Sequence, residues 1–206
     1  MLSVSPLLQG FGLGATMIIP IGAQNAYVLN QGIRRQHHLL TALVCVICDI
    51  LLIALGVFGG GVLFASHPTL LLSVSCGGAA FLFWYGFLSL KSALHVSSEV
   101  EEKQVTRTSR RAVIAGTLAV TLLNPHVYLD TVMILGGIGG QFEGGDRVTF
   151  AAGTMISSFA WFFALSIGAA RLSPVLGRPK VRRWIDGVIW LMMWVIAFSL
   201  LKRVVM

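Results

Sequence analysis

Two acids stand inside long apolar runs, Asp49 within residues 42–64 and Asp130 within residues 112–138. An ionised side chain in a membrane span costs about 2.5–3.5 kcal/mol even on insertion scales. Spans that keep one aim it at a polar cavity, an ion path or a cationic ligand. Each acid also stands near helix-breaking polar chemistry. Pro20, Gly22, Gln24 and Asn25 interrupt the first run, and Asn124 and Pro125 the fourth. The combination reads as a transport site rather than as structural spans.

Proline removes an intrahelical donor and frees a carbonyl, and glycine lets the chain bend. Pro20, Gly22 and Pro125 are therefore expected to break or gate two helices. Exposed carbonyls and helix ends can hold the carboxylate or ammonium of an amino acid. Gln24, Asn25, Asp49, Asn124, Tyr128 and Asp130 are the expected substrate-binding groups, with Asp49 and Asp130 also the proton-coupling candidates. The bland readings are a proline kink satisfied by neighbouring helices and a hydrogen-bonded packing network. His126 either relays protons or caps a carbonyl. Asp186 follows Arg182 and Arg183, where an ion pair at the membrane interface explains it. Cys45-x-x-Cys48 forms one helical turn. No second Cys pair or His cluster completes a metal site, so Cys45, Cys48 and Cys76 are expected to pack. Gly56, Gly60, Gly136 and Gly140 have the spacing that lets helices approach closely. The Trp84–Tyr85 and Trp190–Trp194 groups are expected to be packing or interface anchors.

The elements that must position these residues follow from composition. Of 206 residues, 56% are hydrophobic and 11% charged, and the mean hydropathy is +0.83. A soluble domain of this size has no interior large enough for that much apolar surface. About 20 apolar residues cross a bilayer, and six stretches qualify: roughly 7–30, 39–64, 69–94, 112–138, 148–171 and 184–201. The expected fold is all-α and integral to the membrane, a single domain over residues 1–206. No room remains for a soluble catalytic module. Residues 1–7 carry no Lys or Arg, which argues against a cleavable signal peptide.

The net charge of +7 does not point to nucleic acid, because Lys and Arg fall between spans. Twelve of the fifteen lie in the first, third and fifth connections, and three in the remaining connections and the C-terminus. The positive-inside rule places the twelve in the cytoplasm and both termini outside. The polar stretch near 95–111 is the expected cytoplasmic linker between repeat 1, about 7–94, and repeat 2, about 112–203. A shift of 105 residues matches Leu13 with Leu118, Thr16 with Thr121, Pro20 with Pro125 and Gly32 with Gly137. Asn25 then meets Asp130. Three spans per unit require the second unit to be inverted, the plan of many secondary transporters with a site near the midplane.

Pro20-Ile21-Gly22-Ala23-Gln24-Asn25, continuing to Gln31-Gly32-Ile33-Arg34-Arg35, and Leu123-Asn124-Pro125-His126-Val127-Tyr128-Leu129-Asp130-Thr131 resemble the paired signatures of the lysine/arginine exporter family. The resemblance runs from the first span to the sixth and is strongest to the arginine exporter branch. It implies export of L-arginine, with L-lysine and canavanine as further substrates, across a bacterial inner membrane. Relatives that export neutral amino acids keep a neutral substrate open. The residues agree with a cation, since Asp49 and Asp130 are the only acids deep in the expected spans. No ATP-binding motif is present, so energy must come from a gradient, of protons or alternatively of sodium. No cofactor or resident metal is expected. The expected partners are a basic amino acid, protons and membrane lipid, and the glycine-rich faces allow a homodimer. A metal-efflux protein using Cys45 and Cys48 is a rival, and an intramembrane enzyme ranks last for want of a catalytic constellation.

Overall fold

The apolar runs fold into helices throughout the computed structural model, which describes residues 4–20, 22–60, 68–94, 109–124 and 127–205. Every regular element among them is helical, as expected. Pro125, His126 and most of the expected linker lie outside the described residues.

The run expected as one span over 7–30 is two helices. Helix α1 covers Val4–Ile18 and α2 covers Ala23–Arg34. Their axes differ by 79°. Pro20 lies in the break, and Gly22, extended at φ −120°, starts α2. The turn after α2 is short, and α3 begins at His38 and runs to Leu55. The chain then kinks over Gly56–Gly60, where Phe58 and Gly59 leave the helical conformation and Gly59 has φ +115°. Helix α4 is Pro68–Leu94.

The second half begins similarly. Helix α5, Arg110–Leu122, is capped by the Ser109 hydroxyl, which accepts from the Ala112 amide. It stops short of Pro125, and the chain resumes as α6, π-helical over Tyr128–Leu135 and α-helical over Gly136–Gly139. Helix α7 is Gly144–Arg171, α8 the single turn Ser173–Leu176, and α9 Pro179–Val205. Among the described residues, His38–Gly59 and Gly144–Arg171 are long and apolar enough to cross a membrane, with α1–α2 a third if that bent pair is one span.

Small residues set the packing. Helix α1 lies along α7 through Gly10, Gly14 and Gly153, each against the other helix. A β-carbon on Gly86 of α4 would stand 2.8 Å from the Trp194 indole nitrogen of α9. Trp194 packs edge-on against Phe83 at 5.8 Å and Trp190 at 5.6 Å, so this aromatic group anchors the α4–α9 pair. Trp84, by contrast, is exposed. Gly56 and Gly136 meet backbone to backbone, as their spacing predicts, while the near neighbours of Gly140 are carbonyls of its own helix.

Candidate functional site

The two breaks face each other across a cavity of about 330 Å³. Pro20, Gly22, Gln24 and Asn25 line it from the first break, Asn124 and Asp130 from the second, and Asp49 from α3. Residues distant in sequence thus converge because two broken helices and the middle of α3 meet there.

Asp49 is buried, only 3% exposed. Ser158 of α7 donates to its Oδ2 at 2.6 Å, which holds the carboxylate in one orientation. Asp130 is half-buried in the π-helical stretch. The Gln24 side chain lies close to the Asp49 carboxylate and the Cys45 thiol. Its Nε2 is buried and, among the described residues, completes no hydrogen bond of acceptable geometry.

Helix α2 begins on the cavity without a side-chain cap. Its first amides have no intrahelical acceptors, and the helix dipole adds partial positive charge there. The lining includes two acids and, among the described residues, no Lys or Arg. It therefore offers two anionic points and one electropositive helix end.

Asn25 and Tyr128 have other duties. Asn25 Nδ2 donates to the Ile18 and Pro20 carbonyls, both at 2.8 Å, and its Oδ1 accepts from Trp161 Nε1 at 3.1 Å. Asn25 lines the cavity, and its amide also ties down the carbonyls that Pro20 and the helix end leave open. Tyr128 is not among the lining residues, and its hydroxyl donates to the Leu122 carbonyl at 2.7 Å. Each break is therefore laced by a side chain from the helix that follows it.

Ser158 and Trp161 were not singled out in the sequence. A signal was present: Thr149, Thr154, Ser157, Ser158 and Ser166 are all buried on α7, an apolar helix with more hydroxyls than packing needs. Asp186 behaves as a structural acid. Arg182 Nε stands 3.7 Å from its Oδ2, and Ser92 donates to the same oxygen at 2.6 Å, tying α4 to α9. Cys45 packs among Val28, Ala42, Val46 and Phe162.

The basic residues of separate elements gather at one end. Arg35 Nε donates to the Ala170 carbonyl at 3.0 Å, and Arg183 Nε to the Ala93 carbonyl at 2.8 Å. Arg147 lies apart, closing the end of α6 through the Gly140 and Phe142 carbonyls.

No solved structure matches the chain. It is 50% identical to the arginine exporter protein ArgO of Enterobacter sp. (strain 638), over 97% of this chain and 95% of that protein. It is 49% identical, with the same coverage, to the protein of that name from Salmonella typhimurium. The LysE type translocator family matches residues 15–203. The chain thus belongs to the LysE type translocator family of membrane transporters.

Proposed function

We propose that this protein exports L-arginine, and the related cations L-lysine and canavanine, from the cytoplasm across a bacterial inner membrane in exchange for protons. The observation that carries the reading is the pairing of Asp49 and Asp130 on one cavity between two helix breaks. The arginine exporters at about half identity support the substrate.

Arginine carries one carboxylate and two cationic groups, and the cavity is complementary to that pattern. The α-carboxylate sits at the start of α2, where the Ala23 and Gln24 amides and Gln24 Nε2 can donate. The cationic side of the substrate faces Asp130, with the more enclosed Asp49 on the same cavity. A volume near 330 Å³ is at the small end of ligand pockets, suited to one amino acid. Asp130, less buried, is the substrate partner. Asp49, enclosed and oriented by Ser158, carries the coupling proton. Asn124 completes the polar lining. Asn25 and Tyr128 contribute by holding the breaks in shape.

Coupling answers an electrical problem. Moving one positive charge out against an inside-negative potential costs about 2.3 kcal/mol per 100 mV. One proton inward for each arginine outward moves no net charge. From outside, protons occupy the carboxylates; inside, the cationic substrate displaces them.

The six-span inverted repeat belongs to the same proposal. The breaks fall at matching places 105 residues apart, α1 packs on α7 as α5 packs on α3, and α4 pairs with α9. Each repeat then contributes one broken helix, bent near Pro20 or Pro125, to a shared site. The gathered basic end is placed in the cytoplasm and both termini outside.

The test is counterflow of labelled arginine in proteoliposomes. Arginine should accumulate on the acidic side, in exchange for protons, and collapsing the pH gradient should end accumulation. Accumulation of neutral amino acids in preference to arginine would overturn the substrate assignment.

A further inference from the structure

A second pocket, of about 620 Å³, lies at the basic end, away from the two acids. Arg35 and His37 line it from the turn after α2, His38 from the start of α3 and Arg110 from the start of α5. Leu39 and Ile114 form an apolar wall beside these cations, and Leu39 is 48% exposed. Among the described residues, no acid lines it. We propose that this pocket binds the phosphodiester headgroup of an anionic diacyl phospholipid, with an acyl chain lying along Leu39 and Ile114.

Three observations carry it. Two guanidiniums from separate elements, Arg35 after α2 and Arg110 at the start of α5, converge there beside the imidazoles of His37 and His38, which sequence-local topology signals do not require. Cations above an exposed apolar wall match a molecule that is anionic at one end and hydrocarbon at the other. The backbone also bears strain to put polar side chains there. Arg35 and His37 are left-handed, at φ +52° and +50°. Arg35 closes α2 in the position that favours glycine or asparagine, its amide bonded to the Gln31 and Gly32 carbonyls. Glycine would relax both residues, yet an arginine and a histidine stand there. Side chains kept at strained positions point to a duty for those side chains. Arg35 spends one of its five donors on Ala170, leaving others for phosphate oxygens. A lipid seated there would brace the tight turn between α2, which opens the candidate site, and α3, which carries Asp49. This inference does not depend on the substrate.

The test is native mass spectrometry of the full chain in detergent, titrated with palmitoyl-oleoyl phosphatidylglycerol or the matching phosphatidylcholine. One phosphatidylglycerol per chain should be held, and more tightly than phosphatidylcholine. Removing one cation near an anionic membrane surface should cost about fivefold in affinity and removing two about thirtyfold, for Arg110→Gln and for Arg35→Gln with Arg110→Gln. Arg110 is exposed at a helix start, so its variant carries the test if the double variant does not fold. Lys180→Gln removes an equal charge elsewhere on the basic end and should leave affinity within about twofold. Equal retention of phosphatidylcholine would overturn the proposal. So would a loss in Lys180→Gln matching that in Arg110→Gln, which is diffuse attraction. Full displacement by millimolar inorganic phosphate would show a site for free anions and overturn the lipid assignment.

Discussion

Asp49 and Asp130 differ in setting, and the difference predicts different failures. Asp49 is enclosed and oriented by Ser158, whereas Asp130 is half-buried. Replacing either with Asn keeps size and removes charge. Net arginine export should fall at least about 100-fold in both: Asp130→Asn leaves a buried cation unpaired, at about 3–5 kcal/mol, and Asp49→Asn removes the group that carries the coupling proton. Exchange of arginine for arginine at equal pH should separate them. Asp49→Asn should still exchange, since no net proton movement is required, and Asp130→Asn should not. Wild-type net export by both variants, at normal expression, would remove the acids from the mechanism. Asn25 gives a contrasting prediction. Asn25→Ala strips partners from two carbonyls and from the Trp161 indole. Each buried group left open costs about 1–3 kcal/mol. The melting temperature should fall clearly, with the arginine KM of the surviving folded protein nearly unchanged. A large rise in KM without loss of stability would return Asn25 to substrate contact.

At the scale of elements, the distinctive feature is how tightly α3 and α6 approach beside the site. A β-carbon on Gly136 would lie 2.6 Å from the Gly56 carbonyl oxygen, whereas one on neighbouring Gly137 meets nothing within 4 Å. Overpacking of this kind costs about 1–3 kcal/mol. Gly136→Ala should lower thermal stability and transport together. Gly137→Ala, facing open space, should be silent within about 0.5 kcal/mol. Equal tolerance of both would mean the α3–α6 contact is loose in the working protein. Asp130 belongs to this scale too, because the π-helical turn that carries it is wider than an α-turn. Such turns recur at functional sites, and here one sets an acid on the cavity.

The whole molecule separates charge by position. Arg35 and Arg183 meet the ends of α7 and α4 at one end, while Arg147 closes α6 elsewhere. With the crowded end inside, a tag within residues 96–111 should read as cytoplasmic and a reporter after Met206 as external. Protease protection and alkaline phosphatase activity check the two positions. Reversed readings would overturn the orientation, and both readings at once would mean dual insertion. Acid influx and cation efflux share one cavity in this scheme, so the two faces must reach it in turn. Breaks in both halves provide a pivot on each side.

How much of this was legible beforehand follows from the length scale of each force. Long apolar runs marked an all-helical membrane protein, because a bilayer demands about 20 apolar residues per crossing whatever the contacts. Pro20 and Gly22 marked a break, since a missing donor and a missing β-carbon act on their own backbone. The acids were conspicuous because no nearby residue compensates them. Tertiary structure alone decided which polar groups remain for a guest. Asn25 and Gln24 are adjacent amides of similar chemistry, yet one is bonded to the carbonyls beside the first break and the other lies against the Asp49 carboxylate. Tyr128 and Asp130 are two residues apart, but only Asp130 lines the cavity. Ser158 joins Asp49 across 109 positions. Hydrogen bonds are satisfied in three dimensions, so the sequence determined which groups needed partners, and only the packing of α1, α3 and α7 decided who supplied them.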